Sequence, residues 1–341
     1  MTFSGSTERR TGWEGEIIVL KAMSGGLEQE ARIAPTGGCN LFSYIVNGVE
    51  RLRQPPNWRE VPTFYYGIPI LFPTPNRVRD CRYEFEGRTY QHRKNHEDRF
   101  LHGLVFDEWW KTGEINVDTQ HASFSAWLET VPFHHNYAAF PFPHKITVTF
   151  TLTAAGLAIA YDVENTGEGR LPFGFGLHPW FRVTRTREDM VICGPATHEL
   201  ELEPKLLLPT TKYWPIQEAR PDLSRPTPLS QIDLETVYFG MRPEQPAWIE
   251  YVDEKLRLEL RATAEFTHLI VYSPADKDFV CVENQTCSGD VHNLYARGFQ
   301  NIAHLLILEA GQKHRGEVQM VWLPATEQLT KKDFVSASFS A

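Results

Sequence analysis

Residues 146–153 read Ile-Thr-Val-Thr-Phe-Thr-Leu-Thr, an unbroken alternation of apolar and hydroxyl side chains. A repeat of two belongs to a strand with one face on a core and the other toward water; a helix would scatter the same residues around its axis. Alternation resumes after Ala154-Ala155-Gly156 with Leu157, Ile159, Tyr161 and Val163, which predicts an antiparallel hairpin with one buried face. Tyr83 to Tyr90 reads as a shorter hairpin around Gly87, Leu256 to Arg261 alternates apolar with charged residues, and Val318, Met320 and Trp322 suggest another strand. No segment keeps an amphipathic helical period over three turns, and 23 glycines and 23 prolines punctuate the whole length. The pattern predicts a mostly antiparallel, all-β protein.

Sandwiches of this kind run long as single domains, so residues 1–341 are expected to form one domain, with residues 1–15 and 330–341 peripheral and frayed. The polar, proline-bearing stretch Pro221 to Pro228 is the one candidate boundary. A formal net charge of −9 opposes a nucleic-acid or anionic-membrane surface, either of which needs a basic field. The opening residues carry no apolar leader and about eighteen consecutive apolar residues occur nowhere, so a cytoplasmic protein is expected. Five scattered cysteines, none in a C-x-x-C pair, predict reduced thiols. The thirteen histidines include no H-x-H pair, and His134 and His135 are expected on opposite sides of a strand, so no metal site is predicted.

Three segments set an ionisable side chain among glycine or proline. In Gly174-Phe175-Gly176-Leu177-His178-Pro179-Trp180, the proline holds His178 on extended backbone and Trp180 supplies an apolar wall. A fixed imidazole there suits acid–base work on a sugar; a core histidine in a turn accounts for it equally well. In Phe279-Val280-Cys281-Val282-Glu283, alternation puts Phe279, Cys281 and Glu283 on one face, where burial would raise the carboxyl pKa toward that of a general base. A glutamate paired with an arginine at a strand end is the alternative. His102-Gly103 is a turn or a second site histidine, and Asn76-Arg77 sits in the proline-stiffened loop after Pro73, able to bind hydroxyls or to form a surface ion pair.

In this order, Pro73-Thr74-Pro75-Asn76-Arg77, His102-Gly103, Phe142-Pro143-His144 with the threonine strand, Gly176-Leu177-His178-Pro179-Trp180-Phe181, Cys281-Val282-Glu283-Asn284-Gln285-Thr286 and Asp290-Val291-His292-Asn293 resemble the aldose 1-epimerase (galactose mutarotase-like) family. The resemblance implies a large twisted antiparallel β-sandwich that binds a small sugar in a cleft across one sheet and uses no cofactor. It implies Glu283 as base, His178 as acid, His102 as assistant near the ring oxygen, and Asn76 and Arg77 as hydroxyl ligands. The family's aspartate for sugar hydroxyls has two candidates here: Asp233 by residue type and Glu235 by spacing from Val237-Tyr238.

The expected reaction is anomer exchange of a hexose, with ionised Glu283 taking the anomeric proton while protonated His178 donates to the ring oxygen. A hexose-6-phosphate epimerase with a pocket from Arg77, Arg79, Arg82 and Arg88 is one alternative. A non-catalytic sugar-binding protein stacking its ligand on Trp109, Trp110 or Trp180 is another. A glycoside hydrolase would need a second carboxylate, and no spacing links Asp107, Glu108 or Glu235 to Glu283. Monomer and homodimer are equally compatible with the sequence.

Overall fold

A computed structural model describes residues 1–24, 26–54 and 63–325. The threonine-rich segment forms the strand His144–Thr153, with Ile146, Val148, Phe150 and Leu152 almost fully buried. It pairs with Gly156–Asn165 so that Val148 faces Tyr161 and Leu152 faces Leu157, the predicted hairpin. Among the described residues this pair lies within a nine-stranded antiparallel sheet that also contains Leu256–Ala262 and Lys313–Pro324. An eight-stranded sheet, with Leu234–Phe239, His268–Ser273 and Phe279–Gln285 side by side, and a five-stranded sheet from Thr2–Glu8 to Val49–Glu50 complete the frame. One apolar cluster gathers residues from all three sheets, from Phe3 to Trp322. The fold is all-β, a large twisted antiparallel sandwich. Helix is confined to short pieces such as Val291–Ala296 and Gln300–Ala303, and no helix among the described residues is long and apolar enough to cross a membrane.

Three expectations change. Thr2–Glu8 is an ordered edge strand paired along its length with Ile17–Ser24, because Phe3 anchors it in the core; residues 330–341 lie outside those described. Pro221 to Pro228 marks no boundary: Leu223 and Leu229 are fully buried around it, and Thr227–Pro228 pairs with Val191 and Ile192 at a sheet edge. His134 and His135 sit in a turn, where nothing enforces strand alternation. Their rings stack at 4.4 Å, and His135 Nε2 lies 2.6 Å from Glu108 Oε1.

Packing between the sheets removes several histidines from water. Burial holds the imidazoles of His92 and His268 down at about 3 and those of His144 and His292 at about 4. His92 stacks on Phe100 with centroids 3.8 Å apart, and neither ring nitrogen has a hydrogen-bond partner among the described residues. These folded values lie below the unfolded value of about 6.5, so the unfolded chain binds more protons between about pH 4 and 6.5 and stability falls as pH falls through that window. The loss should reach ~1 kcal/mol per histidine for each pH unit. Urea midpoints measured from neutral pH downward should show this decline, and His92→Phe, which keeps a stacked ring without a titrating group, should flatten it. An unchanged slope in that variant would show that His92 does not contribute.

Candidate active site

The strand Phe279–Gln285, buried along its whole length, carries Glu283. On one side it pairs continuously with His268–Ser273, Ile270 standing opposite Glu283. On the other side its partner is broken. Gly176 pairs with Gln285 and Trp180 with Cys281, and between these two contacts the chain passes through His178-Pro179. Counting the register inward puts His178 level with Glu283. Pro179 has no N–H to donate, and the His178 N–H turns away to the Pro69 carbonyl at 3.1 Å. The interruption leaves room for the two side chains to meet, with His178 Nε2 3.3 Å from Glu283 Oε1.

His102 reaches the same place from a separate segment. It follows the two-residue strand Phe100–Leu101, adopts φ 63° and donates its N–H to the Asn76 carbonyl at 2.9 Å. The next residue must be glycine: Gly103 has φ 87°, and a Cβ there would lie 2.2 Å from the Phe72 carbonyl oxygen. The His102 and His178 rings meet edge to face at 4.9 Å, while Trp180 stacks flat on His178 at 4.9 Å and 5°. Trp180 is thus the apolar wall anticipated beside the imidazole.

These groups open onto a cavity of about 190 Å³, below the roughly 300–1,000 Å³ of pockets for drug-sized ligands and suited to a single sugar ring. Asn76, Arg77 and Glu235 line it too. Asn76 turns Oδ1 back on Arg77, accepting from its backbone N–H at 2.9 Å and its Nη1 at 3.1 Å, which leaves the amide N–H groups for a ligand. Arg77 Nη1 lies 2.8 Å from Glu235 Oε1. Arg77 Nε and His102 Nδ1 are buried without partners among the described residues, a deficit of about 1–3 kcal/mol for each such group that a bound polar ligand would relieve.

Asp233 and Glu235 differ in position. Asp233 precedes the strand Leu234–Phe239, is exposed and accepts the Ala275 N–H at 3.0 Å, capping the adjoining turn outside the cavity. Glu235, opposite Tyr272 in the sheet, faces inward. Sequence reasoning missed Tyr65, His96 and Tyr272, which complete the wall. Tyr272 is identified only by its place opposite Glu235 in the sheet, and nothing in the sequence around His96 marks it. Trp109 and Trp110 are not among the lining residues, the first exposed and the second in the core.

Burial pushes the Glu283 carboxyl well above the usual carboxylate range, against the lowering influence of the Gln285 amide bonded to it at 2.8 Å. Burial also holds His178 down to about 3 and His102 well below its ordinary value, the nearby His178 and Arg77 adding to the effect on His102. Burial thus disfavours the charged form of both members of the Glu283–His178 pair. Donor atoms of His178, Cys281 and Glu283 lie within 4.8 Å of one another and could also hold a cation, though a cation would occupy the atoms that acid–base chemistry needs. A second group, Glu108 with His134 and His135, is less suited to a metal: His134 Nδ1 accepts the Asn136 N–H, which puts the ring proton on Nε2.

Comparison with known proteins agrees with this frame. The chain is 29% identical over 260 residues to the uncharacterized protein YphB of Escherichia coli K12, covering 73% of this chain and 81% of that one. It superposes on a galactose mutarotase-like protein of Clostridium acetobutylicum with a TM-score of 0.83 at 19% identity, covering 94% and 99% of the two chains. It superposes on a galactose 1-epimerase of Lactobacillus acidophilus with a TM-score of 0.73 at 14% identity, covering 94% and 98%. Residues 28–321 match the profile of aldose 1-epimerase, and the chain belongs to that family.

Proposed function

We propose that this protein interconverts the α and β anomers of an unphosphorylated hexose, with Glu283 and His178 as the proton-transfer pair. The observation that carries the reading is their 3.3 Å approach, on a cavity of one-sugar size with hydroxyl-binding groups around it. In the reactive tautomer Glu283 is a carboxylate and His178 an imidazolium. Glu283 takes the proton of the anomeric hydroxyl, His178 gives its proton to the ring oxygen, the C1–O5 bond breaks and the open aldehyde forms. The pair is then carboxylic acid and neutral imidazole, the arrangement that burial favours. Rotation about C1–C2 and reversal of both transfers closes the ring on the other face. Proton number is conserved throughout, so the pair returns to its starting state without exchange with solvent. His102, neutral and edge-on to His178, orients the donor near the ring oxygen.

A neutral sugar is favoured over a phosphate ester because the cations are committed or distant. Arg77 is paired with Glu235, Arg79 with Glu203 and Asp290, and Arg82 and Arg88 project from an exposed hairpin. The cavity does bring Glu235 to the same site as Glu283, as a hydrolase would require, but Glu235 is held by Arg77. The galactose 1-epimerase among the structural neighbours makes galactose and glucose the first sugars to try.

Polarimetry of freshly dissolved α-galactose and α-glucose should show accelerated approach to equilibrium, lost by about 10²-fold or more in Glu283→Gln and His178→Asn. Near-normal rates in either folded variant would remove that residue from the mechanism. His178 is lowered to about 3, so the acid limb of kcat/KM should lie well below the ordinary histidine value of about 6.5. A bell centred near 6.5 would instead indicate a solvent-exposed histidine acting alone. Glu235→Gln should raise KM about tenfold with a smaller change in kcat, and Asp233→Ala should leave both within about twofold; the reverse order would return the sugar contact to Asp233.

A further inference from the structure

The segment Asp290-Val291-His292-Asn293 has no part in the chemistry above, yet its first residue is bonded to the turn that carries Asn76 and Arg77. That turn has little support of its own. Among the described residues, Arg77–Val78 forms a strand of two residues paired only with Phe100–Leu101, and Asn76, Asp80 and Cys81 all have positive φ. On the edge away from Phe100–Leu101, the Asp290 backbone N–H donates to the Arg77 carbonyl at 2.8 Å, and its Oδ1 accepts the Arg79 N–H at 3.0 Å. A neighbouring strand would bond the same two backbone groups, 77 C=O and 79 N–H. One residue, combining its own main chain with its side chain, supplies both.

The geometry around Asp290 fixes this arrangement. The residue is left-handed, φ 55° and ψ 28°, which swings its N–H and carboxylate toward the same edge. Asn293 Nδ2 donates to Oδ1 at 2.6 Å and to the Arg82 carbonyl at 2.8 Å, holding the carboxylate in place. A Cβ on the preceding Gly289 would touch Asn76 at 3.4 Å, so the backbone there already packs against the Asn76 side chain. Asp290 also follows the end of strand Phe279–Gln285 by five residues, which ties the sugar-binding turn to the strand that carries Glu283.

We infer that Asp290 is a positioning residue that clamps the 76–79 turn and so sets how tightly Asn76 and Arg77 hold the sugar, while the proton-transfer pair Glu283 and His178 is anchored elsewhere. This rests on the anomer-exchange reading for its sugar and for the roles of Asn76 and Arg77.

The test uses the full chain and whichever of α-galactose or α-glucose the wild type turns over. Asp290→Ala should raise KM about tenfold or more with kcat changed less than about threefold, and Asp290→Asn, which keeps an acceptor oxygen at the same reach, should restore KM to within about threefold. Asp290→Ser, too short to span to the Arg79 N–H, is the second variant should alanine not fold, with the same expected split. Unchanged KM in the alanine and serine variants, an equal fall in kcat, or failure of asparagine to restore affinity would each overturn the clamp. Hydrogen exchange at the Arg79 amide needs no sugar: protection lost in alanine or serine and kept in asparagine supports the clamp, and equal protection in all overturns it. A wild-type protein inert toward both sugars would count against the anomer-exchange reading, and the exchange measurement would then decide on the clamp separately.

Discussion

Strand 279–285 is paired on both edges except where His178-Pro179 interrupts its second partner, and the site depends on that interruption. A continuous ladder would leave no space for two ionisable side chains to meet at the centre of a buried sheet. With no N–H on Pro179 and that of His178 turned to Pro69, the main chain opens over one residue while Gly176 and Trp180 keep their pairing on either side. The cost of bringing a carboxyl and an imidazole out of water is smallest when the two share one proton and carry no net charge. Burial alone would make each a poor participant near neutral pH; as a pair each supplies what the other lacks.

The rest of the cavity is assembled from far along the sequence by the same economy of backbone hydrogen bonds. His102 is held by the Asn76 carbonyl and by the close passage of Gly103 over Phe72. Arg77 is held between Asn76, Glu235 and the carbonyl contact to Asp290. Arg77 Nε and His102 Nδ1, buried without partners among the described residues, lie beside the cavity, where a polyhydroxylated ring has donors and acceptors in the density needed to complete them.

The fold was legible where period and environment agree. Ile146 to Thr153 could be nothing but a strand with one buried face, and Tyr83 to Tyr90 declared its turn at Gly87. The N-terminal strand was missed because residues 2–8 are mostly small and polar, and only Phe3, meeting a core built by distant segments, holds it. At the site, Glu283, His178 and Trp180 were legible because strand alternation and a proline fix their directions locally. The choice between Asp233 and Glu235 was not, since it turns on where strand pairing with His268–Ser273 ends. The electrostatics of the pair were also out of reach: ionised Glu283 and protonated His178 are the expected reactive forms, and only the depth of burial of both shows that their surroundings disfavour charge on either.

The locked central strand has a further consequence. Glu283 stands on strand 279–285 and His178 on the segment that interrupts its pairing, whereas Glu235, Tyr272, Tyr65 and His96 come from a neighbouring pair of strands and from connecting segments. In the proposed reaction, the groups that move protons and the groups that read the outline of the sugar are thus borne by different pieces of the scaffold. Such a scaffold can drift in what it admits while its chemistry stays constant, and kinship within the family is then a far better guide to the bond that opens than to the sugar that contains it.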